Sequence, residues 1–137
     1  MFFYKKLDSI KLRKFNLKGV KDVKKKRLCF GFYGLQALET GRLSSKQLEA
    51  VSQSIRRKLK PLGGKFWLRL NPSISVTKKP SSVRMGKGKG NIDRYVAFVR
   101  KGQILYEISN LKKSVAQGIL KLGSSKIPIK TKIVYYV

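Results

Sequence analysis

The sequence predicts a single domain that contains both α-helices and β-strands, because helical and strand-like patterns both occur along it. Apolar side chains recur at spacings of three and four over residues 44–59, which is typical of an amphipathic helix. Residues 65–70 instead alternate between an apolar face and a mixed face, which is typical of a strand. The chain has 137 residues, 42% of them hydrophobic, and is therefore long enough to bury a core.

The first 28 residues are predicted to form a basic arm ahead of the folded domain, residues 29–137. The arm carries eleven Lys or Arg against two acids, and its apolar residues follow no sustained period. We expect it to order against a polyanion, and the alternative is a solvated tail.

Two predicted strands flank the first helix. Residues 28–33, LCFGFY, form the first, and Gly31 indicates a bulge or a close approach of two backbones. Residues 65–70, KFWLRL, form the second, with Trp67 and Arg69 on the face opposite the core. Two interpretations of the Trp67 ring stay open here: it stacks on bases or sugars, or the arm covers it.

The first helix has clear start and stop signals. Ser44 and Gln47 form a capping box, and Pro61 follows the last turn. The apolar face consists of Leu48, Val51, Ile55 and Leu59. Arg56 and Arg57 belong to a cluster of cations in the last turns. The helix dipole accounts for one or two of these cations, and we expect Arg56 and Arg57 to contact phosphates.

The second half of the chain also contains both strand-like and helical patterns. A short strand at residues 73–76 is followed by two apolar runs, residues 95–99 and 104–108, which predict a hairpin that turns at Lys101 and Gly102. A second helix is marked by Leu111, Val115, Ile119 and Leu122, and Gly123 is expected to cap it. The last strand places Ile127, Ile129, Ile133 and Tyr135 on one face.

A glycine-lysine segment, residues 78–92, is predicted to protrude as a loop. Between residues 78 and 91 there are five cations and no acid. The run GKGKGN lacks the spacing of a nucleotide-binding fingerprint. Glycines instead allow the main chain to approach phosphates, and Lys87 and Lys89 add mobile charges. The alternative is a plain linker.

The charge of the chain points to a polyanionic partner. Lys and Arg number 33 against 6 Asp and Glu, which gives a formal charge of +27. We expect nucleic acid as the partner, and an acidic membrane is the second candidate. Nucleic acid is favoured because the cations are spread over strands, loops and termini instead of one amphipathic helix. The single cysteine excludes an internal disulfide, and no apolar run is long enough to span a bilayer.

The chemistry of an enzyme is not predicted. The chain has no histidine, one cysteine and six scattered acids, so neither an acid-base pair nor a set of metal ligands is indicated. We therefore expect no catalytic residue, no metal and no cofactor.

Three stretches of the chain resemble one known family in their order and spacing. These stretches are residues 30–57, residues 64–91 with the pattern KPSSVRMGKGKG at residues 79–90, and GQILYEI at residues 102–108, followed by KIPIK at residues 126–130. The chain is similar to the universal large-subunit ribosomal protein L-sixteen family in its bacterial and organellar form. The resemblance covers roughly residues 11–134.

The resemblance implies a compact domain of the α+β class and of the hammerhead type, with two helices packed on a mixed or antiparallel sheet, that is embedded in large-subunit rRNA. It further implies a role in shaping the aminoacyl-tRNA site late in subunit assembly, with A-site tRNA and neighbouring ribosomal proteins as partners, no membrane and no homo-oligomer. The candidate contacts to rRNA or tRNA are Arg84, Met85, Gly86, Lys87, Gly88, Lys89, Gly90, Lys78, Lys79, Arg56, Arg57, Arg69, Arg13 and Lys14. The chain departs from the family pattern at Arg94-Tyr95, where the family has Tyr-Trp, and at residues 71–73, where an acidic turn residue is lost.

The compartment is predicted from composition. Lysine outnumbers arginine 24 to 9, which is consistent with an AT-rich gene, and residues 1–15 lack the features of a secretory signal or transit peptide. We expect a mitochondrial ribosome, with a plastid or an AT-rich bacterium as alternatives. The alternative function is that of a free basic RNA chaperone outside any fixed particle.

Overall fold

The structure, a computed structural model, describes Lys11 and residues 27–136. In chain order its elements are β1 (Tyr33–Ala37), β2 (Gly41–Ser44), α1 (Ser45–Leu59), β3 (Lys65–Leu68), β4 (Ile74–Lys78), β5 (Asn91–Val99), β6 (Ile104–Ser109), α2 (Lys113–Ser124) and β7 (Thr131–Tyr135). A 3-10 turn, Lys60–Leu62, follows the first helix. Two helices and antiparallel strands confirm the predicted α+β class.

The strands form two antiparallel sheets. Sheet A has the order β3-β6-β1-β7, and sheet B has the order β2-β5-β4. The β1–β6 pairing reaches Gln36 opposite Ile104, and the β2–β5 pairing starts at Gly41 opposite Val99. These two pairs have the same register, although they belong to different sheets. The segment β1–β2 therefore runs antiparallel to β5–β6 from one sheet into the other.

The predicted hairpin of residues 95–99 and 104–108 is wrong, because β5 and β6 lie in different sheets. The backbone at the turn is bonded to β1 instead. The Gly102 N–H donates to the Ala37 carbonyl at 2.8 Å, and the Ala37 N–H donates to the Gln103 carbonyl at 2.9 Å. The Gln103 N–H still donates to the Arg100 carbonyl at 3.1 Å, so a tight turn is present, but the strands on either side of it pair with β2 and β1 in different sheets.

The first helix begins and ends where the sequence predicts. The Ser44 N–H donates to Gln47 Oε1 at 2.9 Å, and the Gln47 N–H donates to Ser44 Oγ at 3.3 Å, which confirms the capping box. The helix ends at Leu59, and Pro61 lies in the turn that follows. Gly63 then adopts a φ of 64°, a left-handed conformation that stops the chain from continuing as a helix.

The core lies between the two helices and the sides of both sheets that face them. Helix α1 packs against α2 and contacts β2, β3 and β5, while α2 packs on β1 and β7. Fully buried side chains come from both helices and both sheets, among them Tyr106, Leu35, Leu43, Leu48, Ile55, Leu59, Ile108 and Leu120. The Tyr106 hydroxyl donates to the Leu48 carbonyl at 3.2 Å and so ties sheet A to α1.

The second helix turns a different face to the core than predicted. Its buried residues are Ala116, Ile119, Leu120 and Gly123. Val115 and Leu122 are more than a third exposed. Gly123 lies inside the helix, so its predicted capping role is wrong. It is buried against α1, where a Cβ on Gly123 would stand 3.0 Å from Ile55 Cδ1, and this close approach fixes which face of α2 is inside.

The first strand starts later than predicted, at Tyr33. Residues 28–31 instead lie across the face of sheet A that is opposite the helices, where a Cβ on Gly34 would stand 2.4 Å from Leu28 Cδ2. A close approach at Gly31 is confirmed, because a Cβ there would stand 2.5 Å from the Ile108 carbonyl oxygen. Strand β6 is covered on both faces and is buried along its length.

The other predicted strands are present with shifted ends. Residues 65–70 contain β3, and residues 73–76 overlap β4. The last strand begins at Thr131, and Ile127 and Ile129 are buried in the segment before it.

Candidate nucleic-acid interface

The glycine-lysine loop, residues 79–90, connects β4 to β5. The two strands pair up to Lys78 opposite Asn91, so the loop leaves a hydrogen-bonded base. Residues 80–89 are all exposed, and Met85 reaches 97% exposure. The cations at the base and in the loop are Lys78, Lys79, Arg84, Lys87 and Lys89. The structure therefore presents a continuous basic loop on a rigid hairpin.

Three successive loop residues have a left-handed backbone, with φ of 90° at Gly86, 54° at Lys87 and 79° at Gly88. No heavy atom lies within 4 Å of a Cβ placed on Gly86 or Gly88. The two glycines are therefore required by the backbone conformation and not by packing within the chain. Because they carry no Cβ, the main chain there can approach another molecule closely.

Two ammonium groups bind carbonyl oxygens of the loop. Lys79 donates to the Gly86 carbonyl, and Lys11 donates to the Lys89 carbonyl at 3.4 Å. Lys79, predicted as a nucleic-acid contact, thus also connects the start of the loop to Gly86 near its tip. The second contact places the Lys11 side chain beside the loop.

Arg56 and Arg57 lie apart from the loop. The Arg56 Cζ lies 5.1 Å from the centre of the Phe66 ring, a cation-π contact with sheet A, whereas the loop extends from sheet B. Arg57 is exposed on the last turn of α1. The structure therefore does not bring these arginines together with the loop, and their phosphate contacts stay a prediction.

A buried carboxylate holds the segment that enters the fold. Glu107 Oε2 accepts hydrogen bonds from the N–H groups of Cys29, Phe30 and Gly31 at 3.1, 2.7 and 2.9 Å. Its Oε1 accepts from Arg69 Nη1 at 2.5 Å. The Glu107 side chain is 0% exposed. We call this group, Glu107 with Arg69 and residues 29–31, the Glu107 clamp.

Glu107 is not among the residues predicted from the sequence. Its only signal is an acid inside the apolar run ILYEIS of a chain that has six acids in all. A charged residue in a strand that is buried on both faces requires a partner, and Arg69, immediately after the neighbouring strand β3, provides it.

Arg69 therefore has a structural role beside the predicted contact with RNA. Its guanidinium binds Glu107, and its Cζ lies 5.0 Å from the centre of the Phe30 ring. Hydrogen bonding to the Cys29 side chain raises the pKa of Arg69, although burial acts in the opposite direction and the charge of Glu107 adds to the rise. The side chain is 23% exposed, and its contact with RNA stays a prediction.

The Trp67 ring is covered. The Phe30 ring stacks on it with centroids 6.1 Å apart and planes inclined by 20°. The structure favours the covered ring over base stacking, and the cover comes from the segment immediately after residues 1–28.

Arg13 and Lys14 lie outside the described residues, as does most of the predicted arm. Within the described part of the chain, neither helix has the length and apolar character needed to cross a bilayer. The same residues contain no group of three or more His, Cys, Asp or Glu placed to hold a metal.

The chain matches a known family over nearly its full length. The model of the family described as ribosomal protein L16p/L10e matches residues 4–134. The large ribosomal subunit protein uL16 of Hyphomonas neptunium is 50% identical over 107 residues, which cover 78% of this chain and 77% of that protein. The proteins of the same name from Blochmanniella pennsylvanica and Thioalkalivibrio sulfidiphilus are 47% and 45% identical, over 78% and 79% of this chain and 79% and 78% of those proteins.

Proposed function

The chain belongs to the ribosomal protein L16p/L10e family, and from this premise we propose that its glycine-lysine loop reaches into large-subunit rRNA and helps to shape the A site near the peptidyl transferase centre. The chain is a structural constituent of the large ribosomal subunit, where it associates with rRNA, and it is not an enzyme. The alternative of a free RNA chaperone has no support beyond the charge that both functions share.

The loop is the observation that carries the proposal. Arg84, Met85 and Lys87 are exposed at its tip, and the bonded strands β4 and β5 fix its base. A rigid support lets a small element be positioned among RNA strands without a large loss of conformational entropy on binding. The left-handed glycines allow the backbone to lie against phosphates, while the cations neutralise them.

We propose further contacts on the same chain. Arg56 and Arg57 on α1, Lys78 and Lys79 at the loop base, and Arg13 and Lys14 in the arm are expected to bind rRNA phosphates. The loop cations are also expected to lie close enough to A-site tRNA to affect its binding. Neighbouring ribosomal proteins complete the set of partners, and a homo-oligomer is not expected.

Replacing Arg84, Lys87 and Lys89 together with alanine is expected to leave the fold intact and to impair the subunit. The three side chains are exposed, so the free energy of unfolding should change by no more than about 0.5 kcal/mol per site. Loss of three phosphate contacts should reduce the slope of log affinity for rRNA against log salt by about 2 to 3. Sucrose gradients should show immature large subunits, and A-site tRNA affinity should fall.

The matched control replaces three other exposed cations, Lys46, Lys101 and Lys121, with alanine, which removes the same charge. Large subunits that contain this control variant should mature normally. Normal gradients and normal tRNA affinity in the loop variant would contradict the proposal.

We also propose that the ribosome is mitochondrial. The support is the composition, with 24 Lys against 9 Arg, and the relatives reported above are bacterial. Fractionated mitochondria should yield large subunits that keep one copy of the chain after a high-salt wash. Recovery of the chain only in plastid or bacterial ribosomes would refute the mitochondrial placement, and recovery in no ribosome would refute the functional assignment itself.

A further inference from the structure

Aromatic side chains lie at one end of sheet A, with Phe32 and Tyr136 on one face and Tyr33 and Tyr135 on the other, because side chains alternate along paired strands. Phe32 is 62% exposed, Tyr136 is 63% exposed and Tyr135 is 39% exposed, and Tyr33 lies beside them with partial burial. Large aromatic rings are normally buried in soluble domains, so a group of exposed rings indicates a binding surface. We name these four residues, at the start of β1 and the end of β7, the aromatic edge.

The rings of the aromatic edge are held in place by their neighbours. Phe32 and Tyr136 meet edge to face, with centroids 6.3 Å apart, and the Tyr136 N–H donates to the Phe32 carbonyl at 2.9 Å. Tyr33 and Tyr135 form a second pair of this kind at 5.9 Å. Gln117 Nε2 donates to the Tyr135 hydroxyl at 2.5 Å. In an edge-to-face pair only one of the four ring faces is covered by the partner, so flat surfaces remain for a ligand.

A shallow depression adjoins these rings. It has a volume of about 410 Å³ and is lined by Phe32, Tyr33, Asn110, Leu111 and Lys112. Lys112 borders the depression, and the Lys113 Nζ lies 5.2 Å from the centre of the Tyr135 ring. None of the lining residues is an acid.

We propose that the aromatic edge binds an unpaired nucleotide of large-subunit rRNA, whose base stacks on Phe32 and whose phosphate lies at Lys112. The proposal rests on the place of the chain in the large subunit. Bases splayed out of RNA stack on exposed aromatic side chains, and a lysine beside the ring provides the charge for the backbone. The site is separate from the glycine-lysine loop, because it lies on sheet A and the loop leaves sheet B.

RNA fits this surface better than a protein partner does. The centres of protein interfaces are depleted of charged residues, and lysine is depleted over such interfaces as a whole. Here Lys112 borders the depression, with no acid among the lining residues, in a chain of formal charge +27. The surface therefore has the charge and the flat rings that a nucleotide requires.

The test measures binding of the full chain to naked large-subunit rRNA. Phe32→Ala is expected to weaken binding by about 5- to 150-fold, the range for loss of one stacked base. The salt slope should not change, because stacking neutralises no phosphate. Lys112→Ala should instead lower the slope by about 1. Unfolding midpoints close to that of the unmodified chain would show that both variants fold.

Two further variants separate stacking from general apolar contact. Phe32→Trp should keep the affinity, and Phe32→Leu should lose it, because leucine preserves apolar volume without a flat ring. Leu62→Ala is the matched control, since Leu62 is also exposed, at 49%, and lies on the turn after α1. It should bind as the unmodified chain does.

Unchanged rRNA affinity in Phe32→Ala, or full affinity in Phe32→Leu, would overturn the proposal. Unchanged affinity for naked rRNA combined with faster loss from complete subunits would overturn it in favour of a neighbouring protein. If the unmodified chain itself fails to bind large-subunit rRNA, the proposed function fails first, which distinguishes the two failures.

Discussion

Glu107→Ala is expected to lower the free energy of unfolding by about 3–5 kcal/mol, the range for breaking a buried ion pair by removing one partner. The carboxylate is fully buried and accepts four hydrogen bonds. Its loss leaves the guanidinium of Arg69 without its anion and three successive backbone N–H groups without an acceptor. Urea unfolding measures the effect, and hydrogen exchange at residues 29–31 should accelerate in the same variant.

Two comparisons make the Glu107 result interpretable. Glu39→Ala removes an exposed acid that pairs with Lys130 at 3.2 Å, and it should change stability by less than about 1 kcal/mol. Glu107→Gln keeps a side-chain oxygen for the backbone donors, so its free energy of unfolding should lie between those of the alanine variant and the unmodified chain. If Glu107→Ala does not fold, Glu107→Gln still allows the effect to be measured. If Glu107→Ala and Glu39→Ala unfold at the same urea concentration, the Glu107 clamp does not stabilise the fold.

Ile55→Ala is expected to destabilise the chain by about 2–5 kcal/mol, because it opens a cavity between the two helices. Ile55 is 0% exposed, and its Cδ1 faces Gly123 on α2. The loss should appear as a lower urea midpoint with an unchanged slope, since the surface exposed on unfolding is nearly the same.

A second substitution on α2 tests whether this contact is the cause. Gly123→Ala alone places a Cβ 3.0 Å from Ile55 Cδ1 and should be neutral or destabilising. Added to Ile55→Ala it should restore part of the lost stability, because the methyl group enters the cavity and alanine favours a helix over glycine by about 0.5–1 kcal/mol. Strict additivity of the two changes would show that the two sites do not interact.

The features that the sequence predicts well are local. The capping box at Ser44 and Gln47, the apolar face of α1 and its end near Pro61 depend on residues within one or two turns, so the pattern contains the needed information. The glycine-lysine loop is likewise visible as a run of residues whose charge and glycine content exclude burial.

The features that the sequence does not predict depend on partners far along the chain. Residues 95–99 and 104–108 have the spacing of a hairpin, and the Gln103 N–H does donate to the Arg100 carbonyl, but the two runs pair with β2 and β1 instead of with each other. Glu107 accepts hydrogen bonds from backbone N–H groups more than 70 positions away, and the spacing of apolar residues cannot predict such contacts. The aromatic edge joins residues 32–33 to 135–136, which only the pairing of β1 with β7 brings together.

The continuous register from sheet A into sheet B has a consequence for how the chain matures. Side chains alternate along strands, so a slip of one position in β1–β6 would turn core residues outward in that sheet. Beyond the one-residue shift between Leu35 and Gln36, the register of Gln36 with Ile104 is the same as that of Gly41 with Val99, so we expect a slip beyond that shift to carry into β2–β5. The hairpin that bears the glycine-lysine loop is part of sheet B, so a misaligned β2 would displace β5, the strand into which the loop leads, before any RNA is present.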